Sequence, residues 1–387
     1  MKMQDRSEED ILKQQINEIM EEQQSPKEQG RPSKIRNNGP RKKKKRPFLK
    51  AVGWMVIILL ILLALIVGTK GGRRMIYSAA GKFVYNNVDN DEVIKEYEEG
   101  ADNSPAADSI KQETYVTNYL IFGIEEFGGA RNTDSMMIAS MNTKDNTLKL
   151  TSLLRDSYVE IPGYDDNKLN SAYAKGGARM LVDTIELNYK IQIDGYVSVD
   201  FKSFEKIVDL LGGVTIELGE KEAKYLNTTN YISKKSNRNV KAGINKLNGN
   251  QVMGYCRVRK VETLGGINDD YGRIVRQQRA LKAIFESYKS PRNLFKILPV
   301  TKKSLSYATT NLTQDQIEKA MEDIVENKIK SLDTFRIPVE GAFDAPKEYN
   351  GIGYPIILDW ETNRIELYKF IYNDTEKEAK AALAALK

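Results

Sequence analysis

Residues 51–69, AVGWMVIILLILLALIVGT, run for nineteen positions without a charge. At 1.5 Å per residue an uncharged helix of that length is just long enough to cross a hydrocarbon core, so the run predicts one transmembrane helix. A cleaved signal peptide is the competing reading. It fits poorly, because the apolar run is too long, no small-residue cleavage site is evident and fifty residues precede it. On one side lies RKKKKRPFLK, residues 41–50, with six consecutive cations; on the other stand Lys70, Arg73 and Arg74. Cation-rich flanks stay on the cytoplasmic side. The expectation is therefore a single-pass protein of the cell membrane, with its N-terminus in the cytoplasm and everything after residue 70 outside.

Residues 1–50 hold fourteen Lys/Arg against eight Asp/Glu, so the formal surplus of six lies in that tail, and residues 51–387 hold forty-five of each. The basic run next to the span suits anionic lipid, and the tail reads as disordered. The neutral remainder lacks the broadly basic surface of a nonspecific nucleic-acid binder, and no nucleic acid is expected as a partner. Cys256 is the single cysteine and there is no histidine. That excludes a disulfide framework, Ser-His-Asp and Cys-His devices, and histidine zinc sites. Any general base must be a carboxylate, a lysine or a tyrosine.

Beyond the span, residues 70–112 read as a stem and linker. Residues 118–124, 135–141 and 147–153 (NYLIFGI, SMMIASM, TLKLTSL) have strand length and composition, with turn signals between them. GGARMLVDTIEL (176–187) has helical periodicity, with Met180, Leu181, Thr184 and Leu187 near one stripe. GYVSVD is a short strand, FKSFEKIVDLL a helix stopped by Gly212 and Gly213, and VTIEL a strand. Helices near 272–289 and 313–326 and strands near 332–338 and 353–358 follow. Alternation of this kind predicts an α/β (α+β layered) domain with a central mixed β-sheet flanked by helices. Its core is expected over 113–289, with 290–387 as its C-terminal part.

GYCRVRK (254–260) reads as a strand with Cys256 and Val258 on one face and Tyr255, Arg257 and Arg259 on the other. Two guanidiniums side by side repel. The arrangement is reasonable on a solvated face, beside neutralising carboxylates, or around a doubly charged anion. Soon after comes DDYGRIVRQQRALKAIF, where Asp269 or Asp270 is placed to cap a helix with Arg273, Arg276 and Gln277 at i, i+3 and i+4, a second cationic face or an ordinary solvated one. Arg155 and Asp156 follow an apolar strand directly, a position where ligand groups gather in layered α/β folds. Asp134 and Glu125 flank the loop between the first two strands. Such a pair suits either turn chemistry or a hard cation that also takes phosphate oxygens, such as Mg²⁺.

NTDSMMIASMNTKDNTLKLTSLLRDSYVEIPG, KLNSAYAKGG, GYVSVDFKSFEKIVDLLGGVTIEL, GYCRVRK and DDYGRIVRQQRALKAIF occur in that order over about residues 117–289. Together they resemble the LytR-CpsA-Psr family of membrane-anchored cell-wall glycopolymer ligases. The resemblance implies an extracellular phosphotransferase. A glycopolymer on an undecaprenyl-pyrophosphate carrier would be moved to a peptidoglycan sugar hydroxyl, releasing lipid phosphate and leaving a phosphodiester. Matched by motif, it implies Asp134 and Arg155 as catalytic residues, Arg257, Arg259, Asp270, Arg273 and Gln277 around the pyrophosphate, and Mg²⁺ on Asp134 and Glu125. The reading selects the dianion as the partner of the arginine pair.

Two positions depart from the family pattern. Gly123-Ile124-Glu125-Glu126 stands where the family has Gly-Val-Asp followed by Arg, and Lys260 stands where it commonly has a histidine. Arg131 is a candidate replacement for the lost guanidinium. The alternative function is a non-catalytic, membrane-tethered scaffold that binds a polyanion or lipid pyrophosphate. A transcriptional regulator acting through the basic tail is a third reading, disfavoured by the lack of a helix-turn-helix pattern.

Overall fold

The computed structural model describes residues 69–90, 109–127, 130–288, 308–326, 329 and 331–386. The expected tail (1–50), all but the last residue of the expected span (51–69) and nearly all of the 98–109 linker lie outside them. Among the described residues no helix is long and apolar enough to cross a membrane.

Helix α1 (Lys70–Tyr85) starts at the end of the apolar run, where the Thr69 hydroxyl accepts from Gly72 N–H. It is docked on the folded body: Arg73 Nε and Nη2 donate to the two Glu326 carboxylate oxygens at 2.6 and 2.9 Å. Then come β1 (Asp89–Asn90), β2 (Val116–Phe127), β3 (Ala130–Asn142), β4 (Thr147–Leu153), the hairpin β5 (Tyr158–Ile161) and β6 (Tyr164–Lys168), and α2 (Asn170–Tyr189). Next are β7 (Gly195–Asp200), α3 (Phe201–Leu210), β8 (Val214–Leu218), α4 (Glu220–Thr228), β9 (Gly243–Leu247), α5 (Gly249–Arg257) and α6 (Asp269–Tyr288). The chain closes with β10 (Ala308–Thr310), α7 (Gln314–Glu326), β11 (Leu332–Ile337), four two-residue strands between Phe343 and Leu358, α8 (Trp360–Tyr372) and α9 (Glu376–Ala385).

Seven strands form one mixed sheet in the order β1-β10-β7-β2-β3-β4-β11. Strands β7, β2, β4 and β11 run the same way, and β3 runs against its two neighbours. Their carboxyl ends therefore share one edge of the sheet with the start of β3. Alternation along β3 sorts the two faces. Met136 and Ile138 join Leu120, Phe122 and Leu153 in the main core beneath α2 and α8, while Met137 meets Leu150 and Leu332 under Leu281 and Phe285 of α6. A second core, around Val208, Val214, Leu226, Val252 and Tyr255, joins α3, α4, α5 and the separate hairpin β8–β9. The packing there is close: a Cβ on Gly249 would lie 1.9 Å from the Glu205 carbonyl oxygen.

The layered α/β expectation agrees with this architecture. Strands 147–153, 195–200 and 214–218 fall where composition puts them, and α3 ends at Gly212 and Gly213, both at positive φ. Three local expectations need correction. Residues 176–187 are helical only after a break at Gly176 and Gly177, and the buried stripe is Ala178, Leu181, Thr184 and Ile185, with Met180 and Leu187 half-buried. Residues 353–358 are not one strand: they hold the last residue of the pair Ile352–Gly353, an isolated bridge from Ile356 to Ser157 and the two-residue strand Ile357–Leu358. Most consequentially, GYCRVRK is no strand. Gly254–Arg257 is the last turn of α5, and Val258 leaves it in extended conformation.

Glu186 in α2 is buried and accepts Ile193 N–H at 2.8 Å. Burial, with Asp183 and Asp194 adding to it, pushes its carboxyl up to about 7. The folded pKa thus exceeds the unfolded one, so stability falls as pH rises from about 4.5 to 7, by about 1–3 kcal/mol at most. Glu186→Gln keeps the acceptor and cannot ionise. Urea unfolding should show it more stable than the parent at pH 8 and equal to it at pH 4; an identical difference at both pH values would refute the assignment.

Candidate functional site

Strand β3 carries a bulge where it matters. Gly123 pairs with Ser135 and the next residue, Ile124, pairs with Thr133, so Asp134 is the extra residue left out of the register. A bulge of this kind bends the strand and re-aims a side chain. The Asp134 carboxylate meets Arg155, which follows the end of β4, with Arg155 Nη1 donating to Asp134 Oδ1 at 2.5 Å. Arg155 Nε donates to Asp156 Oδ2 at 3.3 Å, and Lys168 Nζ lies 2.9 Å from Asp156 Oδ1. Burial works against the charge on Arg155, but Asp134, Asp156 and Asp270 more than offset it, and the guanidinium titrates above its ordinary range.

Asp270 opens the second half of the site, in the first turn of α6. Its Oδ1 lies 3.2 Å from Arg259 Nε and 3.1 Å from Arg273 Nη2. Arg273 is only 6% exposed, and its Nε has no hydrogen-bond partner. Because the Asp270 charge also reaches Arg155, the two halves share one field. They are tied mechanically too: Ser135 Oγ donates to Gln277 Oε1 at 3.1 Å, and Gln277 Nε2 donates to the Cys256 carbonyl at 3.5 Å. Arg257 sits with its guanidinium carbon 5.4 Å from the centre of the Phe201 ring. That ring lies beside Gly123, where its nearest carbon would be 3.9 Å from an added Cβ.

Asp134, Arg155, Asp270, Arg273 and Gln277 are thus gathered at the carboxyl edge of the sheet, with Arg259 on Asp270 and Arg257 over Phe201. The two arginines do point away from buried Cys256 and Val258, as read, but from a helix end and an extended segment. Tyr255 does not share their face, being fully buried. Arg276 is removed from the cationic face altogether: it is 0% exposed and bound to Glu222. Glu125 lies in β2, but its side chain and that of Arg131 are outside the described ones. Sequence reading missed Lys168, Ser135 and Phe201. Lys168 opens the KLNSAYAKGG motif and Ser135 follows Asp134, so both were within reach; Phe201 was hidden as an apolar residue at a strand-to-helix junction.

Among the described side chains here, Arg155, Lys168, Arg257, Arg259 and Arg273 outnumber Asp134, Asp156 and Asp270. Such a cluster can grip a doubly charged, oxygen-rich anion, because a guanidinium offers a planar fork of donors that matches phosphate oxygens. The LytR-cpsA-psr family model matches residues 82–364. This chain belongs to that family. Regulatory protein MsrR of Staphylococcus aureus is 28% identical over 256 residues, 66% of this chain and 74% of that protein. The polyisoprenyl-teichoic acid–peptidoglycan teichoic acid transferase TagU of Bacillus anthracis is 30% identical over 283 residues, 71% of this chain and 86% of TagU. The crystal structure of B. subtilis TagV superposes with a TM-score of 0.52 at 25% identity, covering 67% of this chain and 99% of TagV.

Proposed function

We propose that this family member is an extracellular phosphotransferase that moves a glycopolymer from an undecaprenyl-pyrophosphate carrier to a peptidoglycan sugar hydroxyl. The observation that carries the proposal is the pairing of Arg259 and Arg273 on Asp270, whose charge also acts on Arg155, with a buried Arg273 Nε that lacks a hydrogen-bond partner. Similarity to TagU, whose name describes teichoic acid transfer to peptidoglycan, supports it. The apolar run 51–69 would hold the domain at the outer membrane face, where both substrates meet.

In the reaction the acceptor oxygen bonds to the phosphorus nearer the polymer, and the bond from that phosphorus to the lipid phosphate breaks. Charge grows on the departing phosphate. Arg259 and Arg273 bind and neutralise it, and Arg155, oriented by Asp134, holds the phosphoryl oxygens in line. The hydroxyl proton passes to a carboxylate, for which Asp134 is the candidate, since the chain has no histidine.

Mg²⁺ suits this site by its donor chemistry. The described residues contain no group of three metal-ligating side chains, and Mg²⁺ commonly takes one or two carboxylates and completes its shell with phosphate oxygens and water. Asp134 and Glu125 would hold it, and when bound it would supply further neutralisation of phosphate charge.

The full-length protein in vesicles, given lipid-pyrophosphate-linked polymer, peptidoglycan and Mg²⁺, should form an acid-labile phosphodiester between polymer and glycan and release lipid monophosphate. Binding of the donor with no transfer to any acceptor would overturn the enzyme in favour of a lipid-pyrophosphate scaffold.

A further inference from the structure

Arg276 is the largest fully buried side chain among the described residues, and the phosphate chemistry above makes no use of it. All three of its guanidinium nitrogens are engaged. Nε donates to Glu222 Oε1 at 2.8 Å, Nη1 to the Val258 carbonyl at 3.0 Å and Nη2 to the Val261 carbonyl at 2.7 Å. Glu222 Oε2 in turn accepts the N–H groups of Gly219 at 3.0 Å and Leu264 at 3.2 Å. One buried ion pair therefore grips the 258–264 segment at three points.

Arg259 lies between two of those points. Its own carbonyl accepts Asp269 N–H at 3.0 Å, which ties the segment to the start of α6. Gly272 permits this close approach: an added Cβ would sit 2.8 Å from the Ile267 carbonyl oxygen and 3.1 Å from Arg276 Nη1. The backbone on both sides of Arg259 is thus fixed by groups that touch no phosphate, while its side chain, half-buried, reaches Asp270.

A fully buried pair gives up the hydration of both ions, and hydrophobic replacement of such pairs often stabilises a protein. We infer that Glu222 and Arg276 are positioning residues that set the 258–264 loop and hold Arg259 in anion-binding geometry. The inference rests on the proposed phosphotransferase reading. Arg259 has several rotatable bonds, and anchoring its backbone removes conformational freedom that ligand binding would otherwise have to remove.

Glu222→Gln tests this: its amide oxygen can still accept the two backbone N–H groups, while its NH2 then faces the Arg276 Nε–H, so the pair loses both its charge and its hydrogen bond. Inorganic pyrophosphate binding to the full-length protein, read by calorimetry, should weaken about tenfold, in the range typical of residues that orient a ligand-binding group. In an Arg259→Ala background the same substitution should change the affinity little, while in an Arg155→Ala background the tenfold loss should persist. A purely structural pair would instead give the same loss in both backgrounds and overturn the inference. Arg276→Lys, which cannot span Glu222, Val258 and Val261 together, should weaken pyrophosphate binding and speed amide hydrogen exchange in 258–267. Unchanged exchange and affinity in both variants would also overturn it. Absence of pyrophosphate binding by the parent protein would strike the proposed function, and the exchange rates would then decide the loop's anchoring.

Discussion

Arg273→Ala is expected to slow polymer transfer by about 10²–10³-fold, the usual cost of removing one preorganised donor from developing transition-state charge. Three observations set that size. Arg273 is 6% exposed, so water substitutes poorly for its charge; its Nη2 already faces the site through Asp270; and its Nε has no hydrogen-bond partner to lose. The fold should survive, because the Asp270 side chain is 40% exposed and keeps Arg259. Arg273→Lys should recover only part of the activity, since an ammonium restores charge and not the fork. Transfer rate, pyrophosphate affinity and melting temperature measured on both variants check this. Full activity in Arg273→Ala would mean that the buried guanidinium serves the fold alone.

Most strands around that site were legible in the sequence for a simple reason: β4, β7 and β8 are short, β-rich in composition and bounded by turn residues. Helix α5 was not legible from periodicity. Every residue from Gly249 to Cys256 is buried, so no polar face exists to give a period of 3.6. The Cys256–Arg259 alternation then imitated a strand. The signal that identifies the helix lies elsewhere, in the capping box between Asn248 and Gln251. Arg276 was misread because the 258–268 segment covers the first turns of α6, a tertiary contact that no local pattern announces.

The site itself divides in the same way. Arg155 and Asp270 stand where strand-end and helix-start rules direct attention, whereas Asp134, expected to flank a loop, lies inside β3 at its bulge because the two strands run on to Phe127 and Ala130. Their pairing depends on register. Asp134 reaches Arg155 because β3 bulges opposite Gly123/Ile124, and a cross-strand shift of one residue has no signature in one strand alone. Glu222, fifty-four positions from Arg276, is likewise set by packing.

Asp134 is the residue whose removal should best separate binding from turnover. In the resting site its carboxylate occupies Arg155 and adds negative charge beside the arginines that would take the pyrophosphate. Asp134→Asn keeps the size of the side chain and removes that charge. In Mg²⁺-free buffer pyrophosphate affinity should therefore hold or rise, because Arg155 is released toward the ligand and a repulsive charge is gone. Transfer should fall by about 10²-fold or more, because the same change removes both the candidate base and a Mg²⁺ ligand. The two roles part company on titration with Mg²⁺. If Asp134 holds the metal, the stimulation of pyrophosphate binding by Mg²⁺ expected of the parent should vanish in Asp134→Asn; if it serves only as base, that stimulation should remain while transfer stays low. Equal losses of affinity and transfer would assign Asp134 to the orientation of Arg155 alone, and wild-type transfer by Asp134→Asn would exclude it from the chemistry.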